Sequence, residues 1–193
     1  MTSNLKYTLT ANSTAIGINH STNETFTFST GSVCGGGNTN AACIMNGNTV
    51  MTEQVANGGY YYNWYAATAD TGTASMASGD ATGSICPVGW RLPANYSNIP
   101  NKSYGSITMA YLGFANNKAE SHYITLGLAP ISWLMSGQYY FGAPRYTGGG
   151  AYYWSSTAAP DGYAWNAGFN GSVTHPQEGQ LKYMGFPVRC VAQ

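Results

Sequence analysis

The chain has 193 residues, enough for one sizeable core and at the upper end for a single mixed domain. Seven Lys plus Arg balance seven Asp plus Glu, so there is no electrostatic footprint for DNA or RNA. Charged residues make up 7% against about 25% in ordinary domains, and no run of eighteen apolar residues could span a bilayer. Solubility must then rest on Asn, Ser, Thr, Gly and Tyr hydroxyls. Such a surface reads as secreted or displayed. No signal peptide is visible; Met1-Thr-Ser leads into a polar strand, as in a trimmed or mature fragment whose export signal or anchor has been removed.

In chain order, Lys6–Thr10 and Thr25–Ser29 alternate apolar and polar residues and predict two strands. Cys34 and Cys43 flank a Gly/Asn-rich loop short enough for a local disulfide. With Cys86 and Cys190 there are four cysteines, which allow three pairings. A zinc site would want close CxxC pairs or His at ligand spacing, and His20, His122 and His175 are scattered. No metal and no cofactor is expected.

Residues 49–55 form a second apolar patch, strand or short helix. The aromatic run from Gly58 to Thr68 predicts a strand, and Ala69 to Ser84 an exposed loop. Cys86-Pro-Val-Gly-Trp-Arg-Leu-Pro93 carries too much Pro and Gly for a helix or a central strand, and Trp90 and Leu92 should anchor it in the core. Ser103 to Phe114 is the best helical stretch, with Ile107, Ala110, Tyr111 and Phe114 at helical spacing behind a Ser103 N-cap. Leu126 to Tyr140 reads as buried strand material, and Gly142 to Gly150 as a loop. Tyr152–Ser156, Ala164–Asn170 and Phe186–Val191 are the closing strands.

Catalytic motifs are missing. There is no GxSxG elbow, P-loop or HExxH, and Asp70, Asp80 and Asp161 fall in separate loops. A lone His175 lacks the positioned partner that a general base requires. The chain is therefore not expected to be an enzyme.

Four motifs in combination, Tyr62-Asn-Trp-Tyr65, the Cys86–Pro93 block, Tyr153-Trp-Ser-Ser-Thr157 and Gly185-Phe-Pro-Val-Arg-Cys190, resemble the C-type-lectin-like domain of the Fibrobacter-type major paralogous domain family. Variable proteins of diversity-generating retroelements are built on the same scaffold. The resemblance covers roughly residues 45 to 193. It implies an α+β class, β-rich with one or two short helices and long loops. Residues 1–44 would then be an N-terminal β extension carrying the Cys34/Cys43 loop, and 45–193 the C-type-lectin-like domain. It also implies a Cys86–Cys190 staple, which leaves Cys34–Cys43 as the other pair. Disulfides place the chain in an oxidising compartment.

The same resemblance implies a surface-displayed protein that binds a ligand or receptor, protein or glycan, on another cell or particle. Its location would be extracellular, at a cell or virion surface, without nucleic acid and without membrane insertion of this segment. Calcium-dependent sugar binding is disfavoured, because Ala159-Pro160-Asp161 and Trp165-Asn166-Ala167 lack ligands that calcium lectins carry. The alternatives are a structural surface or lipoprotein module without a specific ligand, and an enzyme of the formylglycine-generating type, for which Cys190 lacks a nearby companion.

In retroelement-diversified relatives, randomising Asn codons yields Asp, Gly, Tyr, Asn and His. Within the variable segment implied here, 158–184, the residues Asp161, Gly162, Tyr163, Asn166, Gly168, Asn170 and His175 all fit. An ordinary polar loop uses the same residue types. The expected ligand-binding set is Asp161, Tyr163, Trp165, Asn166, Gly168, Asn170, His175 and Tyr183, with Trp165 a fixed aromatic contact. Apart from Trp165, these should share one exposed face, opposite the anchors Ala167 and Phe169.

Overall fold

The computed structural model describes residues 4–34, 41–45, 58–94, 118–119 and 133–193. The chain opens irregularly; residues 4–10 form no strand, contrary to the alternation of Lys6–Thr10. Leu5 and Leu9 are instead buried as anchors, and the Leu5 N–H donates to the Val188 carbonyl at 2.9 Å. β1 (Thr14–Asn19) and β2 (Thr25–Ser29) then form an antiparallel hairpin.

The aromatic run that predicts a strand turns into a helix. α1 spans Trp64–Ala67, and all four of its residues are buried. Asn63 is the reason. Its side chain accepts from the Ala66 N–H at 2.8 Å, an N-cap bond that competes with strand pairing. Aromatic composition suggested a pleated strand, but a helix apolar on every side is stable when it is wholly enclosed.

β3 (Gly83–Ser84) pairs with β1 and completes a three-stranded sheet in the order β2-β1-β3. β4 (Trp90–Arg91) pairs with β11 (Val191–Ala192) near the end of the chain. β5 (Lys118–Ala119) lies at the edge of the largest sheet. β6 (Gln138–Tyr140) and β7 (Ala143–Arg145) form a tight hairpin within the stretch read as strand and then loop. β8 (Gly150–Ala158), β9 (Tyr163–Asn170) and β10 (Val173–Leu181) complete the largest sheet, ordered β5-β10-β9-β8. The closing segment Phe186–Val191 is less regular than expected, with a bridge at Phe186 and a strand only from Val191.

The expected α+β class does not hold. Among the described residues 42% lie in strands and 3% in helix, so the architecture is a set of small antiparallel sheets rather than helices segregated beside a sheet. The helix expected over 103–114 and the patch at 49–55 lie outside the described residues. Gly, Asn and Thr punctuate the sequence and limit helical runs.

β8 carries the core. Its burial does not alternate, because both of its faces are covered. On one side Trp154 packs on Phe186, with ring centroids 4.3 Å apart, in a cluster that includes Tyr62, Trp64, Leu92 and Val188. On the other, Ala151 and Tyr153 meet Trp133, Ala167 and Phe169. Its outer edge is masked by irregular chain: Ser156 donates to the Pro93 carbonyl at 2.8 Å and Ala158 to that of Gly79 at 2.8 Å. Buried indole N–H groups need partners. Trp154 Nε1 donates to the Tyr62 carbonyl at 2.8 Å, and Trp64 Nε1 to that of Ser155 at 2.9 Å.

Both disulfides form as expected, Cys34–Cys43 and Cys86–Cys190. Cys86 and Cys190 are buried in the same cluster as Trp154 and Phe186, while Trp90 packs against its rim half-exposed. The N-terminal residues Leu5, Leu9, Ala15 and Phe28 belong to that cluster too, so the 44/45 boundary marks no gap in the core.

Candidate binding face

The β8–β9 connection explains why Asp161 and Gly162 stand where they do. Both have positive φ, 58° and 80°, and the Tyr163 N–H closes the turn on the Pro160 carbonyl at 3.1 Å. Asp-Gly is the dipeptide that a two-residue turn with two positive φ angles prefers. Asn170 serves the next turn: its Oδ1 accepts from Ser172 N–H at 2.8 Å and Val173 N–H at 2.9 Å.

The expected single exposed face does not form. Asn166 is 0% exposed, and its Nδ2 donates to the Glu178 carbonyl at 2.6 Å. Gly168 is buried where two side chains converge; a Cβ there would meet Glu178 Oε2 at 3.0 Å and Tyr152 at 3.3 Å. Alternation along β9 also sets Tyr163 and Trp165 on the face opposite Asn166, Gly168 and Asn170. The sequence reading placed Ala167 and Phe169 against solvent-facing neighbours. Both sides of β9 are in fact covered over most of its length.

Asp161 is exposed at the turn, and the rest of what remains accessible is mostly aromatic. Tyr163 is 37% exposed, and Trp165, His175 and Tyr183 are half-buried. Trp165 and Tyr163 both lie over Gly179, the residue opposite Trp165 on β10. Tyr183 stacks on Tyr140, with centroids 6.3 Å apart and planes 28° apart, and Tyr140 packs on Phe141 at 4.0 Å. Burial, then hydrogen bonding with Tyr140, and then the nearby Tyr163 hold the Tyr183 phenol above its ordinary range. A second group centres on Tyr152, whose phenol is raised by burial, by the Glu178 carboxylate and by Tyr146. Gln180 Nε2 holds Glu178 Oε1 at 3.1 Å.

The β6–β7 hairpin links the two groups. It carries Tyr140 and Phe141 toward Tyr183, and Tyr146, just past β7, toward Tyr152. Sequence reasoning missed Tyr140, Phe141, Tyr146 and Tyr152 because it confined the site to 158–184, and passed over Glu178 and Gln180 within it because randomised Asn codons do not yield Glu or Gln. The Tyr139-Tyr-Phe-Gly142 run was the available signal, an aromatic cluster at a turn glycine.

The raised phenols of Tyr152 and Tyr183 stay protonated near neutral pH and offer both donors and acceptors beside apolar rings. Among the described residues no three His, Cys, Asp or Glu side chains gather as a metal would require, and no helix is long and apolar enough to cross a membrane. No protein-family model matches the chain, and neither a curated protein nor a solved structure similar to it was found.

Proposed function

We propose that this protein is a displayed binding module that recognises a protein or glycan ligand on another cell or particle. The observation that carries the reading is the exposed aromatic face formed by Tyr163, Trp165, Tyr183 and the β6–β7 hairpin, in a chain with 7% charged residues. Tyr and Trp give large contact area at small entropic cost, which suits recognition. A frame closed by two disulfides and packed on both sides of β8 holds that face without depending on it. Disulfides also fit an oxidising, extracellular setting.

The four-motif resemblance supports a retroelement-diversified binder. The geometry narrows which positions could change freely. Asp161, Gly162, Asn166, Gly168 and Asn170 have structural work, which leaves Tyr163, His175 and Tyr183 as the diversified subset. Sequencing the gene across isolates tests this. Replacements should concentrate at those three codons and spare Asn166; free variation at Asn166 would remove the assignment. For binding itself, the oxidised protein would be tetramerised and applied to arrays of cell-surface proteins and glycans. Retention should be lost in Tyr163→Ala/Tyr183→Ala while the variant still unfolds cooperatively. Retention indifferent to that pair, or none at all, would sink the reading.

A further inference from the structure

Seven non-glycine residues among those described have positive φ: Asn12, Asn23, Ala69, Asp70, Phe141, Tyr146 and Asp161. Asn and Asp tolerate this conformation through local hydrogen bonds. Ala69 is 1% exposed and sits in the core. Phe141 and Tyr146 have neither excuse. Their φ angles are 51° and 59°, and they are 62% and 64% exposed. A bulky side chain there is strained, and strain of this kind is retained where surrounding structure or function demands it.

The protein contains its own control. Phe141-Gly142 and Asp161-Gly162 are both two-residue hairpin turns with positive φ at each residue. The second uses the residue such a turn favours, and the first places phenylalanine in the same position. A Cβ on Gly142 would meet nothing within 4 Å, and on its other side the turn borders a crevice lined by Cys34, Met45, Tyr139 and Tyr183.

Arg145 completes the tip. Its guanidinium lies 5.8 Å from the Phe141 ring centroid, and its Nε donates to the Tyr140 carbonyl at 3.1 Å. Among the described residues no carboxylate pairs with it. Tyr140 packs on the ring and the Arg145 guanidinium lies near it, yet Phe141 stays 62% exposed. An exposed aromatic beside an exposed Arg that no described carboxylate pairs is the composition of a protein–protein anchor.

We infer that the β6–β7 tip is a fixed anchor for a folded protein partner, with Phe141 entering an apolar recess and Arg145 meeting a carboxylate at its rim. This rests on the binding-module reading above and adds a contact outside the segment 158–184.

The test pans a phage library of disulfide-cyclised peptides against the full oxidised chain and measures Tm of the variants. Phe141→Asn should raise Tm by roughly 2–4 °C, because the turn gains a compatible residue. Enriched peptides should carry Asp or Glu beside an apolar residue and bind Phe141→Asn and Arg145→Gln at least about tenfold more weakly, as losing an anchor implies. A Tm unchanged or lowered in Phe141→Asn would show that the ring serves the fold and overturn the inference. Peptides that ignore Phe141→Asn but are lost in Tyr163→Ala/Trp165→Ala also overturn it, while leaving the binding-module reading intact. Peptides indifferent to both sets, or no enrichment, remove both. Phe141-dependent retention on a glycan array, or a Phe141-dependent dimer in sedimentation, would put a sugar or a second copy there and overturn the assignment.

Discussion

The Lys182 ammonium lies 4.7 Å from the centroid of the Trp64 ring, over a residue that is itself fully buried. Its Nζ also donates to the carbonyls of Thr73 at 2.9 Å and Met76 at 2.6 Å. The side chain thus pins the segment after α1 to the end of β10. Burial lowers its pKa. Folding therefore disfavours the charged form, and that cost is relieved as pH rises through the folded pKa toward the ordinary Lys value. Buried tyrosines such as Tyr152, raised in the folded state, lose stability over the same alkaline range, so the Lys182 contribution is read as the difference in urea unfolding between the wild type and Lys182→Met. That difference should move in favour of the wild type as pH rises through the window, while the variant, by leaving two carbonyls unpartnered, costs about 1–3 kcal/mol at neutral pH. A difference that does not change with pH would show that Lys182 does not titrate there.

Trp154 should be the most costly single truncation. It is 0% exposed, packs on Phe186 and satisfies the Tyr62 carbonyl. Trp154→Ala should cost roughly 3–5 kcal/mol in chemical denaturation. An unchanged midpoint would contradict its place in the core.

The two disulfides should differ in effect. Their sequence separations are 104 for Cys86–Cys190 and 9 for Cys34–Cys43. The loop-closure relation gives about 4.7 and about 2.6 kcal/mol of stabilisation respectively. Replacing each pair by Ala and measuring unfolding should show the larger loss for the long-range link. The reverse order would mean that the short loop does more than restrict the unfolded chain.

Substitutions along β8–β10 should separate by role. Asn166→Ser breaks a buried hydrogen bond and should cost about 1–3 kcal/mol. Asp161→Ala puts a Cβ without local hydrogen bonding at φ 58° and should cost about 1–2 kcal/mol. Tyr163→Ser should stay within about 0.5 kcal/mol. Equal losses at Asn166 and Tyr163 would mean that Tyr163 is also structural.

The same contrast shows what the sequence could convey. The short loop between Cys34 and Cys43 suggested a local disulfide, whereas Cys86–Cys190 came only with the family resemblance carried by the Trp-Ser-Ser and Pro-Val-Arg-Cys blocks; both pairs form. Thr25–Ser29 and Ala164–Asn170 alternate or run apolar in the way that strands do, and they are strands. Asn63 was harder. One side-chain cap inside an aromatic run outweighed strand propensity, and propensity is a weak prior where burial is total. Asp161-Gly162 was legible as a turn dipeptide, but the residue types of a variable site drew the reading elsewhere. The burial of Asn166 was not legible, because it depends on what covers the face of β9 that carries it. Phe141 escaped notice for a related reason: its strain exists only in the folded turn.

The hydrogen bond from Leu5 to Val188 has a consequence for biosynthesis. Leu5 and Val188, far apart in sequence, close the same cluster, and Cys86 must wait for Cys190. Until Phe186 and Val188 have been made, Trp154 and Tyr62 lack them as covers. Contacts this distant along the chain slow folding and lengthen exposure of apolar surface. Vectorial, strand-by-strand completion is closed to such a fold, so its core waits for Val188 and its maturation needs the oxidant that joins Cys86 to Cys190.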